Sequence, residues 1–348
     1  MHVTSLRAVG LRNLDVALGE LPVGIVAVEG ENGQGKTSLL EAIDLALSGG
    51  SFRTRDRALI VQRGSTEAMV SCVVETEGKG WVRIGRRIGV DGSLETRVDG
   101  KAVRKLAPLP VVTFEPDDVQ IASGGPERRR RFIDGAAVAL EASAGSVLRA
   151  AERVLRQRTE ALRVPEPDDV TLDILEERFA VATRAVGSLR ERTVDLLRPF
   201  VEPVVASILH ADGRVDLAYR PTWDAEGIEA ALRASRSEDR RRGATSIGFH
   251  RDDVAILLDG APIREVGSQG QLRTVVVALT VAVARAVEAV RHVRPVLLLD
   301  DLLAELDVHR SRGALEVLAG LQAFISHTGE VPGALRVIRL EEGRVRAA

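Results

Sequence analysis

The 348-residue chain has one cysteine, one tyrosine and two tryptophans, and only four of its 48 basic residues are lysines. A lone Cys72 excludes an internal disulfide and any cysteine-rich zinc site. Aromatic residues make up 3% of the chain, which disfavours binding single-stranded nucleic acid on a stacking platform. No apolar run approaches the ~20 residues of a membrane span, so no membrane partner is expected. The N-terminus opens on an alternating pattern (Val3, Leu6, Val9, Leu11) instead of the apolar stretch of a signal peptide, and a cytoplasmic location is expected. Charge of one sign is also missing: the formal net charge is −2, so any attraction to nucleic acid must come from local patches or from an assembly. No repeat or low-complexity tract is present.

Against that background, Gly30-Glu31-Asn32-Gly33-Gln34-Gly35-Lys36-Thr37 spells the phosphate-binding loop G-x-x-x-x-G-K-[ST]. The apolar run Ile25-Val26-Ala27-Val28 precedes it as a buried strand should, and Leu39, Leu40, Ile43 and Leu47 recur with helical spacing after it. In such a loop, backbone N–H groups curl around phosphates and the helix presents its positive N-terminus. Lys36 reaches the β- and γ-phosphates, and Thr37, followed by Ser38, ligates Mg²⁺. A lysine here runs against the chain's strong preference for arginine. ATP with Mg²⁺ is the expected ligand.

The rest of the chain changes character twice. Met69–Glu75, Trp81–Ile88 and Glu95–Val98 read as antiparallel strands parted by turns that include Asp91-Gly92 and Asp99-Gly100. Residues 126–163 and 172–209 are Arg/Glu/Ala-rich with helical periodicity, interrupted at Pro165-Glu166-Pro167-Asp168-Asp169. Strands return after about Thr245, followed by an apolar helix from Gln269 to about Val290, the strand Val296–Leu299, the segment Ala323-Phe324-Ile325 and a closing strand pair. The expected architecture is an α/β ATPase lobe with a phosphate-loop core, made of residues 1–115 and 245–348. A mainly helical second lobe, residues 116–244, is inserted into it, with no long coiled coil.

Val296–Leu299 followed by Asp300-Asp301 has the form of a Walker B strand, which delivers carboxylates to the C-terminal edge of a buried sheet. Asp300 is expected to hold Mg²⁺, and Asp301 stands where a carboxylate orients the attacking water. Ser268-Gln269-Gly270-Gln271 forms a capping box with Ser268 at the N-cap and Gln271 at N3. The same helix start is an anion site, and Gly270 permits close approach of a phosphate. Phosphate loop, capped Ser-x-Gly-Gln helix, apolar strand with two acids, and Glu305-Leu306-Asp307 follow one another in the order of an ABC-type ATPase.

The chain resembles the RecF family of bacterial recombinational-repair ATPases, relatives of SMC heads. The likeness is carried by Gly33 through Ile43, Ser51-Phe52-Arg53, Phe114-Glu115-Pro116-Asp117-Asp118 and Arg129-Arg130-Arg131-Phe132-Ile133-Asp134. Further on it is carried by Gln157-Arg158, His250-Arg251-Asp252-Asp253, Ser268 through Thr274, and Leu298-Leu299-Asp300-Asp301 through Asp307. It departs at Ser38, where the family has Asn, and at Phe249, where it has Pro. No Gln aligns with the Mg²⁺-binding Gln of related heads. The resemblance implies an ATP-dependent homodimer in which Ser268, Gln269, Gly270 and Gln271 complete the nucleotide site of the second subunit. It implies slow, DNA-stimulated ATP hydrolysis and action on double-stranded and gapped DNA with RecR and RecO to promote RecA loading. It also implies a role for Arg53, and more weakly Arg12, beside the nucleotide. A diverged ABC-type paralogue, either a structural clamp or a transporter-type energy-coupling subunit, is the alternative. The transporter version predicts a Gln-bearing loop and a Leu-Ser-Gly-Gly-Gln signature, both absent.

Three features are open at this level. Arg128 to Arg131 with Arg149, Arg153, Arg156 and Arg158, and the cluster Arg240 to Arg242, either contact duplex phosphates or form solvated helical faces paired with acids. His327 either senses the γ-phosphate or is an exposed strand-end histidine. His250-Arg251-Asp252-Asp253 is read as a structural element, because consecutive side chains cannot all converge on one ion.

Overall fold

The computed structural model describes residues 1–76, 78, 80–164, 168–209, 213–304 and 306–346. The chain divides into two compact units. The first comprises Met1–Asp118, Pro203–Ala211 and Arg273–Ala348; the second comprises Val119–Glu202 and Asp212–Leu272.

Apolar runs from both ends of the chain make one sheet of the first unit. Its strand order is Arg344–Val345, Arg336–Glu341, Ile25–Glu29, Gln322–His327, Val296–Asp300, Val111–Phe114, parallel throughout except for the first pair. Continuous runs such as Val-Leu-Leu-Leu-Asp suit a strand covered on both faces, and every residue of Val296–Asp300 is buried. The second sheet is antiparallel, in the order Leu14–Leu18, His2–Leu11, Glu67–Thr76, Gly80–Gly89, Leu94–Val98, Lys101–Val103. Its alternating residues (Ala68, Val70, Cys72, Val74; Ile84, Ile88) share a core with Leu39, Leu40 and Ile43 of the helix Lys36–Ser48. Asp99 and Gly100 both have positive φ, which lets a two-residue turn follow the strand twist. In the first strand the alternation is not strict: the register shifts between Val3 and Ser5, so Val3 and Leu6 both face the core. Ala8 is buried and Val9 only half-buried.

The helix Lys36–Ser48 is so deeply set that it also buries Asp44. Burial pushes the Asp44 carboxyl up to about 7, against hydrogen bonds from Ser48 and the Phe52 backbone, and nearby Glu41 adds to the rise. The folded state therefore binds a proton that the unfolded chain releases at about pH 4. This group's contribution is complete below that pH and is lost as pH rises toward 7. Asp44→Asn should accordingly gain stability over the parent chain by roughly 3 kcal/mol between about pH 5 and about pH 8. Urea unfolding at the two pH values measures this; a difference independent of pH would refute it.

The second unit contains the helices Pro126–Leu140, Ala144–Arg163 and Ile228–Arg242, and most of the 41-residue helix Asp169–Leu209. It also contains a three-stranded sheet, Ala261–Pro262, Asp253–Leu258, Val215–Arg220. Two boundaries differ from the sequence division at 116–244. Asp253–Leu258 pairs antiparallel with Val215–Arg220, which draws the chain up to Leu272 into this unit. The end of the long helix belongs to the first unit, where Gly313 packs against the Ser207 carbonyl with no room for a Cβ. The break at Pro165-Glu166-Pro167 lies outside the described residues; Asp168 caps the helix that follows, accepting from Val170 N and Thr171 N.

Charged residues lock this unit internally. Arg158 is fully buried and donates to Asp239 at 2.8 Å, Thr245 at 2.8 Å and Glu176 at 3.1 Å. Arg190 grips Asp134 through Nε and Nη2 and the Phe249 carbonyl through Nη1. In His250-Arg251-Asp252-Asp253 the side chains diverge. His250 Nε2 meets the Thr245 carbonyl, Asp252 accepts from Tyr219 and Thr222, and Asp253 accepts from Nε and Nη2 of Arg129. No cluster of three metal-ligating side chains exists among the described residues.

Candidate nucleotide site

Where the strand Ile25–Glu29 meets the helix Lys36–Ser48, the chain must turn without side-chain bulk. Gly30, Gly33 and Gly35 take φ of 156°, 84° and 103°. A Cβ at Gly30 would lie 2.7 Å from the Leu340 carbonyl. The loop opens on a cavity of about 810 Å³, lined among others by Asn32, Gly33, Gly35, Lys36, Thr37, Ser38, Arg53, Asp300 and Asp301. That is ample for a nucleotide. Gly30, Glu31 and Gln34 are not on its wall. The Gly30 and Glu31 carbonyls accept from Lys36 Nζ at 2.6 and 2.9 Å, and the Gln34 side chain accepts from Glu342 N.

Two distant segments meet at the head of the cavity. Thr37 Oγ1 donates to the Asp300 carboxylate, 3.1 and 2.9 Å from its two oxygens, across 263 positions of sequence. Sheet register brings Ser326 opposite Asp300, and its hydroxyl donates to Asp300 Oδ1 at 2.5 Å. Asp301, next in sequence, adopts φ 50°, which turns the chain out of the strand; its carboxylate is half exposed while Asp300 is buried. Asp301 Oδ1 lies 3.4 Å from His327 Nδ1, so His327 is a half-buried strand-end residue facing the second acid. Burial lowers the Lys36 ammonium, and Asp301 and Asp300 work against that shift. A threonine hydroxyl beside a carboxylate is a hard-oxygen donor pair that suits Mg²⁺, an ion that takes few protein ligands and keeps water and phosphate oxygens. Thr37 and Asp300 would hold it, and bound there it would offset phosphate charge.

The structure gives roles to two acids that motif reading had left without one. Glu41 is completely buried and accepts from Arg12, Ser51 and Arg53. It lies four residues after Thr37 on the same helix face, among Ser38, Asp44 and Leu45, so no apolar stripe singled it out in the sequence. Glu115 follows the strand paired with Val296–Asp300, and Leu299 pairs with Phe114. Burial pushes its carboxyl up to about 7, with Asp118 and Asp300 adding to the shift. No motif marks it.

Ser268, Gln269, Gly270 and Gln271 belong to the second unit and are not among the cavity's lining residues. They form the capping box in both directions: Ser268 N donates to Gln271 Oε1 at 2.9 Å, and Gln271 N to Ser268 Oγ at 3.3 Å. Glu305 lies outside the described residues; Asp307 caps the helix Val308–Glu316 by accepting from Arg310 N. The arginine clusters divide. Arg129, Arg130 and Arg158 are tied into the unit's interior, and Arg131, Arg241 and Arg242 pair with neighbouring glutamates. Arg149, Arg153 and Arg156 are exposed at helical spacing along Ala144–Arg163.

Comparison with known proteins places this geometry. Residues 2–326 match the model of the RecF/RecN/SMC N terminal domain. The chain is 35% identical to the DNA replication and repair protein RecF of Geobacter sulfurreducens, with 94% of this chain and 93% of that one covered. It is 33% identical to RecF of Deinococcus radiodurans, with 99% and 95% covered. A solved structure of the recombination mediator protein RecF with ATP, of the RecFOR pathway, superposes with a TM-score of 0.87 at 26% identity, covering 99% of this chain and 97% of that one. An Smc head domain bound to part of ScpA shares the fold, with a TM-score of 0.59 at 15% identity, covering 99% of this chain and 96% of that one. Matching over nearly its whole length at these identities, the chain belongs to the RecF family of DNA replication and repair proteins.

Proposed function

We propose that this chain is a Mg²⁺-dependent ATPase of DNA replication and recombinational repair in which ATP joins two copies on gapped or duplex DNA and slow hydrolysis releases them. The observation that carries the reading is the hydrogen bond between Thr37 and Asp300, which joins a phosphate loop to a Walker B strand 263 residues away. In this reading the loop amides and Lys36 bind the triphosphate, and Asp301 orients the attacking water beside it. Ser268, Gln269, Gly270 and Gln271 present a capped helix N-terminus to the phosphates held by the partner copy. The exposed Arg149, Arg153 and Arg156 supply sequence-independent contacts to DNA phosphates, so binding should weaken steeply with salt. Action with RecR and RecO in promoting RecA loading extends the family assignment to this chain. No helix among the described residues is long and apolar enough to cross a membrane.

Light scattering with ATP, with and without gapped duplex, tests the assembly. The parent chain is expected to dimerise with ATP, more strongly with DNA. Ser268→Arg should still bind ATP but remain monomeric. A parent chain that binds ATP, stays monomeric and ignores DNA would overturn the clamp mechanism.

A further inference from the structure

Glu41 is the one acid of the helix Lys36–Ser48 that is wholly buried and shared among cations. Arg12 approaches it side-on, with Nε and Nη2 each at 3.0 Å, while its Nη1 is fixed on the Leu59 carbonyl at 2.6 Å. Ser51 donates at 2.6 Å. Arg53 makes a single, longer contact through Nη1 at 3.3 Å and keeps 38% of its side chain exposed. The two guanidiniums are thus held differently: Arg12 is anchored on three bonds, and Arg53 is tethered by one.

Both arginines line the same cavity as Lys36, Thr37 and Asp300. Glu41 sits one helical turn behind Thr37 on the same face, so its carboxylate places Arg53 close behind the phosphate end of the cavity. Ser51 Oγ also accepts from Arg53 N and Thr54 N, which fixes the backbone from which Arg53 extends. Of the two cations that share this buried carboxylate, Arg53 is the more weakly held and the more exposed, so it is the one able to turn toward an incoming anion.

We propose that Glu41 is a positioning residue that holds Arg53 in reach of the terminal phosphate, with Arg12 as the fixed counter-charge that keeps the carboxylate in place. Glu41 itself touches no nucleotide. Arg53 trades its single bond to Glu41 for the added charge that distinguishes a triphosphate from a diphosphate. The proposal rests on the reading of this cavity as an ATP site.

The test is calorimetric titration of the full chain with the slowly hydrolysed analogue ATPγS and with ADP, both with Mg²⁺. The readout is the ratio of the two affinities, which a merely structural role would leave unchanged. Arg53→Gln should lower the ATPγS preference about tenfold, the worth of one charge-assisted hydrogen bond. Glu41→Gln should lower it by a similar factor, and the double variant by no more than either alone. Ser51→Ala, which leaves the buried Glu41–Arg12 pair intact, should give a smaller loss in the same ratio and serves if Glu41→Gln does not fold. Equal weakening of both nucleotides by Glu41→Gln, or an unchanged ratio in Arg53→Gln, overturns the proposal while leaving the ATP site standing. A parent chain that binds neither nucleotide overturns the ATP reading itself.

Discussion

Lys36→Met is expected to lower ATP turnover about a hundredfold or more while leaving the fold in place. The ammonium sits at the mouth of the helix Lys36–Ser48 on the wall of the cavity, and burial already lowers its pKa. Its Nζ donates to the Gly30 and Glu31 carbonyls. Those carbonyls keep a loop with three positive-φ glycines in shape and preset the nitrogen where phosphate oxygens arrive. Removing a preorganised charged donor costs about 10²–10³ in rate where charge develops in the transition state. Gly30 is half-buried and Glu31 exposed, so water can take up the carbonyls it leaves behind and the thermal midpoint should move little. Lys36→Arg should fail nearly as badly, because a planar fork cannot replace a compact ammonium between two carbonyls and a phosphate. Steady-state phosphate release, read beside a thermal melt, decides this. Turnover within a few-fold of the parent would remove Lys36 from the catalytic role.

The largest expected loss of stability comes from the second unit. Arg158→Met should destabilise it by roughly 3–5 kcal/mol, because truncating one partner of a buried ionic network strands the others. Asp239 is completely buried and would keep only neutral donors, Ser246 N and Ser235 Oγ. Glu176 suffers less, since Arg236 also reaches it at 2.7 Å. The thermal midpoint should fall by roughly 10 °C. Restoring neutrality with Arg158→Met/Asp239→Leu should recover part of the loss, since a well-packed apolar pair can equal a buried ion pair. A loss below about 1 kcal/mol in the single variant would mean that solvent reaches Asp239 and replaces the missing cation.

Local signals were legible wherever chemistry is written in consecutive residues. Gly30 to Thr37 could be read directly because backbone curvature and phosphate contact both demand those residue types at that spacing. The capping box at Ser268 and Gln271 forms both bonds that its sequence implies. The antiparallel strands and the long helices follow their periodicities to within a few residues of the expected ends. The register of the first strand was not legible, because the bulge at Val3 to Ser5 leaves no mark in a hydrophobic pattern. The division at Ala244 failed to anticipate that Asp253–Leu258 pairs with Val215–Arg220, since strand pairing at that distance along the chain has no local signal. The arginine clusters could not be sorted by sequence, because burial decides whether an Arg on a helix is a structural tie, as Arg129 and Arg158 are, or a free surface charge.

By itself the sequence determined the ligand class, the family and the order of the site's parts, for these rest on short motifs whose chemistry is local. Only the tertiary structure decided which side chains meet. Parallel pairing of Ile25–Glu29, Gln322–His327 and Val296–Asp300 puts Thr37 and Ser326 within hydrogen-bond distance of Asp300 and turns Asp301 toward His327. The packing that buries Glu41 behind the phosphate loop makes it the shared partner of Arg12 and Arg53. The physical reason is that hydrogen bonds and ion pairs act over a few ångströms of space, while the residues that make them here are separated by up to 263 positions of chain.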